Sequence, residues 1–281
     1  MEIILSKEIG FCFGVRRAYD LTLKTTEEQK RPYFCLGPLV HNESVNKKLE
    51  KLGIKFVSSL DDEVKNGILI IPAHGARPEI FKEAKKRELK IIDVTCPLVK
   101  KVQKTAEDLQ NNGYQVIIVG DKNHTEVESI QGAIKDKGIV VENAEEVSAL
   151  KNFKKNLSFG VIAQTTQSEE NVQKVLEKLK KIAKKVKFCN TLCPFVSARQ
   201  KEVGDLAKKV DLILIIGSQT SANTKRLVGI AQKSHKPVYH IENEKELKKE
   251  WFLNIQKVGI ATGTSTPDWE IKKIVEELKK I

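Results

Sequence analysis

Aromatic residues are scarce in this 281-residue chain, at 6%, and none form a basic-aromatic platform. That scarcity speaks against the stacking platforms on which single-stranded nucleic acids are bound. Long apolar runs are also missing. The longest, such as Leu212 to Ile216, stop far short of the roughly 20 residues that cross a bilayer. The first ten residues carry Glu2, Lys7 and Glu8 and no long apolar segment, so no signal peptide is read there and a cytoplasmic protein is expected. The five cysteines form no C-x-x-C pair, which disfavours a structural zinc site of close-spaced ligands. Their odd number, in a long chain without an export signal, speaks against a disulfide framework. A P-loop is absent, leaving a nucleoside triphosphate site unsupported. Neither does any low-complexity linker break the chain.

What is present is a globular balance, with 40% hydrophobic and 31% charged residues. The formal charge of +12 favours an anionic partner: nucleic acid, a phosphorylated small molecule or an acidic protein. It equally describes a lysine-rich solvated surface, as at 174–185, where lysines surround an apolar helical stripe.

Short β-branched runs alternate with amphipathic helical runs. Strands are expected at 2–6, 32–37, 55–59, 67–72, 90–94, 114–120, 138–142, 158–164, 186–190, 210–217, 236–241 and 257–263. Helices are expected at 44–52, 78–88, 98–112, 126–135, 168–184, 196–209, 224–233 and 267–280, and a basic helix-like run follows Cys12. Such alternation implies parallel sheets with helical crossovers, and apolar runs without alternation fit strands buried on both faces.

Polar residues recur just after these strands. One set is 40–42, 73–75 and 94–97; a second is 121–126, 163–167 and 190–194; a third is 217–224 and 263–267. Two sets close with Cys-Pro, at Cys96 and Cys193, and Cys12 after the first strand would close the third. The chain therefore reads as three α/β blocks, each with two polar strand ends and one cysteine. Ligands bind outside the carboxyl ends of strands in open parallel sheets. Three such edges facing one centre would put three cysteines around one point.

Cys12, Cys96 and Cys193 each sit in a loop after a strand, beside Pro or Gly, whereas Cys35 and Cys189 lie inside apolar runs and read as core. Three dispersed thiolates suit an iron–sulfur cluster with one iron incompletely held by protein; three unrelated buried thiols are the alternative. In a cluster, Gly10 and Gly14 would let the main chain approach closely with positive φ, and Phe11 and Phe13 would keep water away.

His41, His74 and His124 stand at strand ends, while His235 and His240 read as structural or surface residues. Ser221, Asn223 and Ser265 lie at expected helix starts, where they are caps, anion donors or both. Glu126 is either a buried general acid with a raised pKa or a solvated carboxylate in a first helical turn. The His-x-Glu at 124–126 invites a zinc-deaminase reading, but the dipeptides that follow are Cys-Pro rather than Pro-Cys and no C-x-x-C follows.

Taken together, Gly-Phe-Cys-Phe-Gly-Val at 10–15, Val-His-Asn at 40–42, Pro-Ala-His-Gly at 72–75 and Asp-Val-Thr-Cys-Pro-Leu-Val at 93–99 resemble the 4-hydroxy-3-methylbut-2-enyl diphosphate reductase family. So do His-Thr-Glu-Val-Glu at 124–128, Gln-Thr-Thr at 164–166, the late Cys193, and the runs 217–227 and 263–268; the likeness covers essentially the whole chain. The resemblance implies an α/β trefoil of three pseudo-symmetric domains with small, mainly parallel sheets around an oxygen-sensitive 4Fe-4S cluster, which oxidative loss of one iron would turn into 3Fe-4S. Domains are expected at 13–97, 98–194 and 195–268, with 1–12 and 269–281 packing on them. By motif matching, Cys12, Cys96 and Cys193 would ligate the cluster, and the fourth iron would take the substrate's C4 hydroxyl. His41, His74, His124, Ser221, Asn223 and Ser265 would hold the diphosphate, Thr165 would lie beside the substrate, and Glu126 would give the proton. The implied products are isopentenyl and dimethylallyl diphosphate, made by a monomer in the last step of the methylerythritol phosphate route, with ferredoxin or flavodoxin as donor. One departure is Ala222, where the family often has a second serine; the setting of Cys193 also differs from some relatives. A nucleic-acid-binding protein is the rival class, supported by net charge and opposed by the lack of any recognition motif. Neither nucleic acid nor membrane is expected as a partner.

Overall fold

The computed structural model describes residues 1–28, 32–61, 63–152 and 158–281. In chain order its strands are β1 (Glu2–Leu5), β2 (Tyr33–Leu36), β3 (Ile54–Val57), β4 (Ile68–Ile71), β5 (Lys90–Asp93), β6 (Gln115–Val119), β7 (Ile139–Val141), β8 (Ser158–Ala163), β9 (Lys185–Phe188), β10 (Leu212–Ile216), β11 (Val238–Ile241) and β12 (Lys257–Thr262). Its helices are α1 (Phe13–Glu28), α2 (Glu43–Glu50), α3 (Pro78–Lys86), α4 (Pro97–Asn111), α5 (Thr125–Ala133), α6 (Glu169–Lys180), α7 (Pro194–Ala207), α8 (Ala222–Gln232) and α9 (Asp268–Leu278). Short 3-10 turns at Glu146–Asn152, Glu244–Glu246 and Lys249–Phe252 lie outside the sequence expectation.

The strands form three four-stranded sheets, and every pairing between them is parallel. Their orders are β3-β2-β4-β5, β7-β6-β8-β9 and, read from its far edge, β11-β10-β12-β1. All three follow one plan: the first and third strands of the block pair in the middle, and the second and fourth flank them. In the third sheet the fourth strand is β1, which pairs with β12 from Glu2 against Lys257 to Leu5 against Ile260. The sheet that lacked a closing cysteine thus receives it from the start of the chain.

The unbroken apolar runs have a direct structural cause. In β6, Ile117 and Val119 pack against Val172, Val175 and Leu179 of α6. Val116 and Ile118 pack on the opposite face against Val102, Ala106 and Leu109 of α4 and Val127 and Ile130 of α5. Strand β10 is used likewise: Ile213 and Ile215 meet α7 and α8, while Leu212, Leu214 and Ile216 meet α9. With both faces covered there is no solvent side to impose alternation, and each such fully buried Ile or Leu stabilises the fold by about 2 kcal/mol.

The chain divides into two compact units. The first comprises Met1–Arg16, Val40–Lys48 and Pro194–Ile281 and holds the sheet of β10. The second comprises Arg17–Leu39 and Leu49–Cys193 and holds the sheets of β2 and β6. Among the described residues, no helix is long and apolar enough to cross a membrane.

Candidate functional site

Each of the three loop cysteines immediately precedes a helix: Cys12 before α1, Cys96 before α4 and Cys193 before α7. Pro97 and Pro194 occupy first helical positions, where a missing N–H costs nothing. The Cys12 and Cys96 carbonyls accept from Arg16 N and Lys100 N, at 2.9 and 3.1 Å, which fixes both as the residues that open their helices. Their sulfurs therefore lie where the helix dipole and free amides favour negative charge. One further bond recurs in all three sheets. Cys12 N donates to Thr264 O, Cys96 N to Ala73 O and Cys193 N to Thr165 O, each at 3.0 Å. Each acceptor lies two residues past a central strand, namely β12, β4 and β8.

The other two cysteines differ. Cys35 is 1% exposed in the middle of β2, and burial pushes its thiol up to about 12. Cys189 is half-buried and packs on the core beside Tyr114 and Val140. Neither opens a helix. The donor chemistry thus fits an anionic iron–sulfur group at three of the five positions, each judged in its own sheet.

Glu126, in the first turn of α5, is 1% exposed, so it is a buried carboxylate rather than a solvated one. Its Oε1 accepts from Thr165 N and its Oε2 from Thr165 Oγ1, both at 2.7 Å. Thr165, in the loop after β8, thereby links Glu126 to the loop of Cys193 through its own carbonyl. His124 caps α5: its Nδ1 accepts from Glu126 N at 3.1 Å. That bond places the ring proton on Nε2, which is then a donor. The His124 and His74 rings meet edge to face, with centroids 5.5 Å apart. Ser129 Oγ lies 3.0 Å from His74 O and 2.8 Å from Glu126 O, joining the loop after β4 to α5. Gly75, next to His74, has φ of +80, and a Cβ there would come within 3.0 Å of Gln103 Nε2.

In the first unit, Ser265 Oγ donates to His41 O at 3.0 Å. Ser265 is not the cap the sequence suggested, because α9 begins at Asp268 and its capping position is Pro267. Ser221 is a cap: it precedes α8 and accepts from Thr224 N. Asn223, in the first turn of α8, is 2% exposed, and both its Nδ2 and its Oδ1 are buried without a hydrogen-bond partner. A buried primary amide costs free energy unless a partner is supplied, and here none comes from the described residues. Burial holds the His41 imidazole below its ordinary pKa, and Lys225 adds to the effect.

Two expectations for the Cys12 loop need correction. Gly10 does take positive φ, +75, and a Cβ there would strike Asp268 Oδ1. Gly14, however, lies inside α1. Phe11 is 9% exposed and fits a shielding role, but Phe13 is 57% exposed and stacks on exposed Phe195 instead.

Sequence reasoning missed two buried groups of the first unit. Glu270 of α9 accepts from Asn42 Nδ2 at 3.4 Å, and Asn42 Oδ1 in turn accepts from Val45 N and Ser44 Oγ. Burial raises the Glu270 pKa, with bonds from Ser44 and Asn42 opposing it. Arg199 of α7 is 2% exposed and bonds backbone carbonyls of two loops. The visible signal for both is a charged residue at an apolar-face position of an amphipathic helix.

A family profile described as LytB protein matches residues 3–279. A 4-hydroxy-3-methylbut-2-enyl diphosphate reductase of Geobacter metallireducens is 40% identical over 282 residues, spanning 100% of this chain and 98% of that protein. The protein of the same description from Aquifex aeolicus is 41% identical over 286 residues, spanning 100% and 97%. A solved structure of (E)-4-hydroxy-3-methyl-but-2-enyl diphosphate reductase, described as the terminal enzyme of the non-mevalonate pathway, aligns at TM-score 0.72 and 39% identity over 100% of both chains. That of the E-1-hydroxy-2-methyl-but-2-enyl-4-diphosphate reductase from Plasmodium falciparum aligns at TM-score 0.92 and 32% identity, over 99% of this chain and 88% of the other.

Proposed function

The chain belongs to the LytB protein family, and on that premise we infer that it is an oxidoreductase converting 4-hydroxy-3-methylbut-2-enyl diphosphate to isopentenyl and dimethylallyl diphosphate. This is the last step of the methylerythritol phosphate route. Two electrons and two protons enter; the C4–O bond breaks, water leaves, and a C–H bond forms at either end of the allyl unit.

The family is one of iron–sulfur enzymes. We propose a 4Fe-4S cluster held by Cys12, Cys96 and Cys193, with three domains at 13–97, 98–194 and 195–268, one for each sheet. When bound, the cluster supplies the electrons and a Lewis-acidic iron for the hydroxyl oxygen. The chain's own groups do the rest. His41, His74 and His124 with Ser221, Asn223 and Ser265 bind the diphosphate and orient it. For His124 the support is a ring proton left on Nε2; for Asn223 it is a buried amide with no hydrogen-bond partner among the described residues. Glu126 takes up a proton in each turnover and passes it towards the departing hydroxyl through Thr165 Oγ1, 2.7 Å away, whose own proton turns from Glu126 Oε2 to the substrate oxygen. Burial of Glu126 and Thr165 keeps bulk water from short-circuiting that transfer.

The observation that carries this reading is the hydrogen bond common to the three helix-opening cysteines. Its test is anaerobic reconstitution with iron and sulfide, followed by turnover with reduced methyl viologen. A brown protein that consumes the diphosphate is expected; a chain that binds no iron, or a loaded one that leaves the substrate untouched, refutes it.

A further inference from the structure

We propose that Arg199 is a positioning residue that locks the Cys12 loop to the Ser265 loop, fixing one thiol and one substrate contact together. Arg199 Nη2 donates to Gly10 O at 2.8 Å. Nη1 donates to Thr262 O at 3.1 Å and to Gly263 O at 2.9 Å. Gly10 N donates to Thr262 Oγ1 at 3.0 Å, beside the bond from Cys12 N to Thr264 O. Residues 10–12 are thereby stitched to residues 262–264, one position short of Ser265. Thr262 ends β12 and Gly10 and Gly263 lie in loops; Gly263 O also accepts from Thr266 N at 3.2 Å, and the buried guanidinium adds a donor to each of the three carbonyls. A planar fork can meet three carbonyls on two loops; an ammonium at the same place cannot reach both sides at once.

The sheet that carries this tie is the one whose cysteine loop comes from the opposite end of the chain. In the β2 sheet, Arg17 of α1 makes the milder counterpart, a single bond of 3.3 Å from Nη1 to Thr95 O, next to Cys96. The stronger clasp lies where loop and sheet are joined by no short connection.

The inference rests on the reading of Cys12 as a cluster ligand, and the experiment separates the two. In the iron-free chain, Arg199→Met is expected to keep its far-ultraviolet circular dichroism while alkylation of Cys12, mapped by mass spectrometry, speeds up about tenfold, the scale on which supporting partners act. In the reconstituted enzyme, visible cluster absorbance is expected to fade in air about tenfold faster, and KM to rise with kcat per cluster nearly unchanged. Arg199→Lys should resemble Arg199→Met. Thr262→Val, which removes only Oγ1, should move the same readouts less far and carries the test if Arg199→Met does not fold. Parental alkylation and cluster lifetime in Arg199→Met, or full rescue by lysine, overturns the inference. A parent chain that binds no iron overturns the ligand assignment instead, and the alkylation rates still decide whether Arg199 holds the loop.

Discussion

Replacing Glu126 by glutamine removes one ionisable proton and almost no volume. The native carboxylate is clasped by Thr165 N and Thr165 Oγ1, both at 2.7 Å, in a site 1% exposed to solvent. Glutamine keeps that clasp: its carbonyl oxygen accepts from Thr165 N, and its amide donates to Thr165 Oγ1 once the hydroxyl turns. The loss in stability is then limited to exchanging two charge-assisted bonds for neutral ones, about 1–2 kcal/mol. Catalysis suffers far more, because an amide has no proton to give: kcat should fall by about 10²–10⁴. KM should stay within about threefold, since the groups proposed to hold the diphosphate are other ones. The assay is anaerobic oxidation of reduced methyl viologen at saturating substrate, with iron content measured on the same sample. Thr165→Val is the companion variant, with a smaller loss because Thr165 N remains. An iron-replete Glu126→Gln enzyme within about tenfold of parental kcat would refute the proton role.

The thiols should sort cleanly on substitution by serine. Cys12→Ser, Cys96→Ser and Cys193→Ser each lose visible absorbance and about tenfold or more in iron affinity, whereas Cys189→Ser keeps both. Asn223→Ala should cost little stability, its amide having no hydrogen-bond partner among the described residues, yet raise KM about tenfold, as removing a hydrogen bond to a charged group does; calorimetry and kinetics check the two halves. Glu270→Gln should stabilise the protein in a pH-dependent way. The native carboxyl has its pKa raised above 4.5 by burial. Well below 4.5 the two proteins should unfold alike, and as pH rises through the raised value the parent should lose stability relative to the variant. If a ferredoxin-type acidic donor docks on this +12 chain, its apparent KM should rise steeply with salt while viologen turnover does not.

Much of this architecture could be read from residues alone, for a physical reason. Runs such as Leu212 to Ile216 are apolar throughout because helices cover both faces, and a motif such as His124 to Glu126 sits where a strand end meets a helix start. Even the missing third cysteine could be assigned to Cys12, because the count of polar strand ends demanded it. What stayed hidden depends on partners remote in sequence. The place of Arg199 on an apolar helix face hints at burial, but its role as a clasp does not show locally, since its carbonyl partners lie at Gly10, Thr262 and Gly263. Ser265 looked like a cap until α9 proved to start three residues later. Phe13 looked like a shield because sequence gives a side chain's polarity but not its direction.

The pairing of β1 with β12 has a consequence for biosynthesis. A ribosome makes Cys12 well before its supporting strand, Lys257–Thr262, which lies at the far end of a long intervening chain. During translation the early thiol waits on a tethered fragment, exposed to oxidants and stray metals, until that late strand arrives. A cluster held as proposed by Cys12 would therefore be completed only after β12 is made, and loss of that strand would deprive the Cys12 loop of its support first.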